Sequence, residues 1–117
     1  MGTLTDEVIV DARAAVRVET DLPAELIAAI GCAVLTGGGA VLNIAAPRAG
    51  DAVLVIGAGG VGLAAALAAT AVGAVPIAVV DPSEPARARA LACGATTALD
   101  VVPHSSLPVP RSRTFPS

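Results

Sequence analysis

The stretch Val53-Leu54-Val55-Ile56-Gly57-Ala58-Gly59-Gly60-Val61-Gly62 constrains this chain more than any other. An apolar, largely β-branched run meets a cluster of glycines, and small apolar residues follow from Leu63 to Val72. That order reads as a strand, a tight turn and a helix. Gly57, Gly59 and Gly62 fit the pattern G-x-G-x-x-G. Glycine at 57 lets the chain turn sharply off the strand. At 59 it lets the backbone approach a ligand closely, and at 62 it lets the helix pack against the sheet. The helix start offers unpaired N–H groups and a positive dipole end, which suit a pyrophosphate. Asp81 stands 24 residues after Gly57, at the end of the next apolar run, Val75 to Val80. A carboxylate there can accept hydrogen bonds from adenosine ribose hydroxyls. The bland alternative is a glycine-rich packing turn, and the acid at the right distance argues against it.

Composition narrows the class. A chain of 117 residues is enough for one small domain. Its net charge of −3 leaves no basic face of the kind that binds nucleic acid. Phe115 is the lone aromatic residue, so a core must be built from Ala, Val, Leu and Ile. Cys32 and Cys93 lie far apart and make no disulfide framework. No basic segment followed by an apolar one opens the chain, so no signal peptide is expected and the cytoplasm is the default. Residues 52 to 80 carry no charge, a length that can span a bilayer. The glycines and Pro76 within them fit a strand–turn–helix–strand unit in a buried α/β core instead, so no membrane segment is expected.

Along the chain, Glu7 to Val10 and Ala15 to Val18 are β-like runs. Asp21-Leu22-Pro23-Ala24-Glu25 signals a helix start. That helix should run to about residue 30, break over Gly31 to Gly39, and be followed by a short helix over 40–45. A strand at about 52–56, a helix at 61–72 with Gly73 as its stop, and a strand at 76–80 come next. A helix at 84–92 follows, with Ser83 as N-cap and Gly94 beyond its end, and 97–101 is a candidate third strand. This βαβαβ order predicts an α/β fold, a partial Rossmann unit with a doubly wound parallel sheet and right-handed crossovers. Three regions result: 1–22, with the two β-like runs; 23–101, the first half of a nucleotide-binding domain; and 102–117. The last is Pro/Ser/Arg-rich and reads as a disordered tail. The abrupt change near Val101 is what a shifted reading frame in GC-rich DNA produces.

Gly31-Cys32-Ala33-Val34-Leu35-Thr36-Gly37-Gly38-Gly39-Ala40, with Cys32 placed 25 residues before Gly57, is a second distinctive segment. Together with Gly57 to Gly62, Val79-Val80-Asp81 and Gly94-Ala95-Thr96, it closely resembles the zinc-dependent alcohol dehydrogenases of the medium-chain dehydrogenase/reductase family. The resemblance covers roughly residues 5 to 101 and is strongest from Pro23 to Thr96. It implies hydride transfer between an alcohol or aldehyde and NAD or NADP, with zinc acting on the substrate oxygen. By resemblance, Cys32 matches a ligand of the catalytic zinc and Thr36 a residue packed against the nicotinamide. Val61 matches the residue behind the nicotinamide ring. Gly57, Gly59, Gly60 and Gly62 match the pyrophosphate loop, and Asp81 matches the ribose acid. The Asp81 charge repels a 2′-phosphate, so NAD is the expected cofactor.

The resemblance implies that residues 1–22 are a remnant of the family's catalytic-domain strands, and the departures from it bear on activity. The Cys and His that complete the family's zinc site have no match here, and one thiolate cannot make the site. The basic residue often found five places after the ribose acid is Ala86, with Arg87 beside it. Cys93 reads as packing, and His104, Arg111 and Arg113 as solvated tail residues. The chain is therefore expected to be a fragment, inactive in isolation, that holds the ADP part of NAD weakly. Its first strand should have an open edge, inviting a homo-oligomer or an edge-strand partner. A non-catalytic nucleotide-binding or partner subunit is the alternative reading.

Overall fold

The computed structural model describes residues 5–100, so the expected tail with His104, Arg111 and Arg113 lies outside the described residues. Three parallel strands, β1 (Val53–Ile56), β2 (Ile77–Val80) and β3 (Thr97–Leu99), form a sheet in the order β1-β2-β3. Val55 pairs with Val79 and Val80 with Leu99. Helix α1 spans Ala24–Ala45. Helices α2 (Gly60–Ala71) and α3 (Glu84–Ala92) make the two crossovers. The expected βαβαβ unit is present, with strand and helix ends within a residue or two of the sequence reading.

The helix stops follow from local chemistry. Gly73 (φ +77°) and Gly94 (φ +99°) adopt the left-handed conformation that ends α2 and α3. At the first stop, Ala74 N–H reaches Ala69 O at 3.0 Å and Gly73 N–H reaches Thr70 O at 3.0 Å. Ala95 and Gly94 repeat the pattern on Ala90 O and Leu91 O. These paired bonds satisfy the last carbonyls of each helix. Ser83 does stand at the N-cap of α3, but its side chain makes no capping bond.

Two expectations are corrected. The segment Gly31–Gly39 does not break the first helix: α1 runs through it, with π-helical turns at Ile30–Val34 and Ala40–Ala45. Tertiary contact overrides propensity here. A Cβ on Gly37 would run into the Val61 carbonyl oxygen and lie 2.9 Å from Ala64 Cβ. The glycine is therefore what lets α1 lie directly on α2. Val41, one turn on, is buried in the same contact. Second, the runs Glu7–Val10 and Ala15–Val18 form no strand. Among the described residues nothing pairs with them, and the element between them is a single 3-10 turn, Ala12–Ala14.

The core is built largely of alanine. Val55, Ile77 and Val79 meet Ala66 and Ala69 of α2 and Ala86 and Ala90 of α3 in one cluster. Small side chains allow close helix-on-sheet packing but bury little area each. The alternate strand residues Leu54, Ile56 and Leu99 are exposed, so the helices cover one face of the sheet among the described residues. α1 is 22 residues long with mean hydropathy 1.9, enough by length and composition to cross a membrane, although Gly37 and Val41 are buried against α2.

Neighbouring glycines in α1 separate packing from propensity. Gly37→Ala should lower stability by about 1–3 kcal/mol through overpacking. At Gly38 a Cβ would meet nothing within 4 Å. Gly38→Ala should therefore raise stability by about 0.5–1 kcal/mol. Denaturant titration of the two variants reads both signs, and equal effects would contradict the contact.

Candidate functional site

The turn after β1 is shaped by contacts glycine alone permits. Gly57 has φ +94°. A Cβ on Gly62 would collide with the Gly57 carbonyl oxygen, so the first turn of α2 sits directly on the end of the strand. At Gly57 and Gly59 the space is on the solvent side, where a Cβ would meet no protein atom within 4 Å. The first N–H groups of α2 have no acceptor within the helix and face this opening. A cleft of about 420 Å³ results. One wall is Gly57, Gly59, Gly60, Val61 and Gly62, the other Gly37 and Ala40 of α1.

Asp81, at the C-terminal end of β2, is brought onto this turn. Ala58 N–H donates to Asp81 Oδ2 at 2.8 Å, and Ser83 N–H donates to Oδ1 at 2.8 Å. The Asp81 N–H reaches Leu99 O of β3 at 3.0 Å. The bond from Ala58, then that from Ser83, holds the carboxyl below the ordinary carboxylate range, with Arg87 and Arg89 adding a smaller effect. Each carboxylate oxygen keeps a second lone pair, so two hydroxyls of a sugar can still be accepted.

The other sequence candidates lie along α1. Cys32, Thr36 and Ala40 recur every four residues and so share a helix face. Ala40 lines the cleft, while Thr36 and Cys32 are exposed further along that face. Val61, half-exposed, lines the cleft at the first turn of α2. Cys93 is half-buried at the end of α3. Among the described residues no three His, Cys, Asp or Glu side chains gather into a metal-binding group. Cys32 alone therefore does not fit a four-coordinate zinc site.

Two participants escaped the sequence reading. The Ala58 N–H is a backbone donor, so no side chain announces it. Arg87 folds back on the acid's own loop, its Nη1 donating to Asp81 O at 2.7 Å and to Pro82 O at 2.9 Å. The position that often carries the family's basic residue, Ala86, is buried in the core.

A scan of family models finds no match. Individual proteins do match. The chain is 46% identical over 91 residues to a geraniol dehydrogenase of Castellaniella defragrans, covering 78% of this chain and 24% of that one. It is 38% identical over 96 residues to alcohol dehydrogenase B of Mycobacterium tuberculosis, covering 82% of this chain and 26% of that one. Among solved structures, an alcohol dehydrogenase zinc-binding domain protein from Burkholderia ambifaria superposes with a TM-score of 0.65 at 39% identity. That match covers 79% of this chain and 24% of the other. An acetophenone reductase from Geotrichum candidum, solved in complex with NAD, gives 0.72 at 30% identity over 78% of this chain and 26% of that one. The chain thus spans about a quarter of the length of the curated relatives it matches. Over that quarter, with its glycine turn, its acid and its parallel sheet, its curated homologues are alcohol dehydrogenases and its structural neighbours include an alcohol dehydrogenase zinc-binding domain protein.

Proposed function

We propose that the chain forms the ADP-binding half of a dinucleotide site and takes NAD. The observation that carries this reading is the 2.8 Å bond between Ala58 N–H and Asp81 Oδ2, which sets the acid beside the glycine turn. A pyrophosphate fits the opening at Gly57, Gly59, Gly60 and Gly62, where the free N–H groups of α2 converge. The ribose hydroxyls fit the remaining lone pairs of Asp81, whose charge repels the 2′-phosphate of NADP. Val61, which lines the cleft, and Thr36, on the α1 face that carries Ala40, are proposed to flank the nicotinamide. The NAD complex of the acetophenone reductase supports the choice of cofactor.

At the level of the family, the proposed reaction is hydride transfer between an alcohol or aldehyde and NAD in the cytoplasm. NAD supplies the hydride acceptor when bound, and this chain's residues bind and orient it. Cys32 is proposed as one zinc ligand of such an enzyme. Since its thiolate has no companion ligands among the described residues, the chain alone is expected to be inactive. A second reading, a non-catalytic nucleotide-binding or partner subunit, is favoured by one observation. β1 bonds to β2 on one side and to no strand on the other among the described residues.

Three outcomes test these readings. Asp81→Asn should weaken NADH binding about tenfold and reduce the preference for NADH over NADPH, since charge-assisted hydrogen bonds are lost; fluorescence titration with both nucleotides reads this, and unchanged affinities would sink the assignment. The depressed Asp81 carboxyl contributes stability that is present above its unfolded pKa of about 3.9 and lost as pH falls through its lower folded value. Melting temperature should therefore drop more in the wild type than in Asp81→Asn below about pH 4. Cys32→Ala and chelator treatment should each leave the melting temperature unchanged, because a lone thiolate cannot couple zinc to folding. A clear drop on chelation would show that the metal site is more complete than this.

A further inference from the structure

Among the described residues Arg87 is the basic side chain that hydrogen-bonds to the loop carrying Asp81, and it does so through the loop's backbone. The loop Asp81-Pro82-Ser83 leaves β2 and enters α3, and Pro82 has no N–H with which to brace it. Among the described residues no backbone N–H reaches the Asp81 or Pro82 carbonyl oxygen. Arg87 Nη1 donates to both, at 2.7 and 2.9 Å, and stands 3.5 Å from Asp100 Oδ1 just beyond β3. Its side chain is 20% exposed, tucked in rather than extended towards the cleft.

We infer that Arg87 is the positioning residue of Asp81: its guanidinium clasps the two loop carbonyls and faces Asp100, aiming the carboxylate at the glycine turn. Three elements meet in this arrangement. Ala58 belongs to the turn after β1, Asp81 follows β2, and Asp100 follows β3. The two hydrogens on Nη1 are directed at carbonyl oxygens, so this nitrogen is not free to grip a 2′-phosphate. All three contacts converge on this one nitrogen, which donates its two hydrogens to the carbonyls and sets the guanidinium charge beside the Asp100 carboxylate. The consequence for ribose recognition rests on the NAD reading above, but the positioning of Asp81 does not.

Amide hydrogen exchange by NMR on the full chain tests the positioning directly. Arg87→Met should speed exchange at the Ala58 and Ser83 amides about tenfold while leaving Ala66 and Ala69 in α2 unchanged. Arg87→Lys should fall between. Unchanged exchange at Ala58 and Ser83, or a uniform rise at every amide, would overturn the inference. Binding supplies the second arm. Arg87→Met should lower the preference for ADP over 2′-deoxy-ADP about fivefold, since the acid that reads the hydroxyl is no longer held. A selective loss of adenosine 2′,5′-bisphosphate binding would instead make Arg87 a direct phosphate contact and overturn it. Were the wild type to bind none of these nucleotides, the NAD reading would fail, while the exchange result would still decide the role of Arg87.

Discussion

The rest of the candidate site depends on the hydrogen bond from the Ala58 amide to the Asp81 carboxylate. It joins the turn after β1 to the end of β2 across 23 residues of sequence. The other polar atoms of Asp81 are engaged as well: its second carboxylate oxygen with Ser83, its N–H with Leu99 and its carbonyl with Arg87. A residue bonded in four directions has little freedom left, and holding an acceptor in place before the ligand arrives reduces the entropy lost on binding. The same carboxylate is thus a part of the fold whose remaining lone pairs stay open to donors from outside.

Close packing of small residues makes this arrangement possible. Gly62 brings α2 against the end of β1, and Gly37 brings α1 against α2, so both walls of the cleft are fixed by contacts with no room for a side chain. Ala66, Ala69, Ala86 and Ala90 let the helices sit near the strands. The corresponding weakness lies in the strands themselves. Leu54, Ile56 and Leu99 are exposed on the bare face, and β1 offers unpaired backbone groups at its edge among the described residues. Exposed apolar strand edges promote association. The quarter-length match to larger dehydrogenases gives this asymmetry a natural context.

Much of this was legible in the sequence because the signals are local. β-branched runs, helix-stopping glycines and the spacing from Gly57 to Asp81 each act over a few residues or through one strand–helix–strand unit. What escaped depended on tertiary contact. Gly31 to Gly39 read as a helix break because clustered glycines disfavour helix, whereas the position of Gly37 is decided by Val61 and Ala64. The runs at 7–10 and 15–18 read as strands because alternation reports propensity and not the presence of a partner. Arg87 was visible as a residue, but its grip on two backbone carbonyls is a matter of geometry. Cys32 and Thr36 were found by resemblance, and the fold sets them on one face of α1 with Ala40, which lines the cleft.

The proposed nucleotide cradle lies between the glycine turn and Asp81. Chemical-shift mapping of the labelled chain titrated with ADP tests it most directly. The account predicts shifts concentrated at residues 57–62 and at Asp81 and Ser83, and their loss in Asp81→Asn. Shifts confined to the apolar groove between the N-terminal segment and α1, lined by Val16, Val18 and Ile27, or no shifts at all, would contradict it.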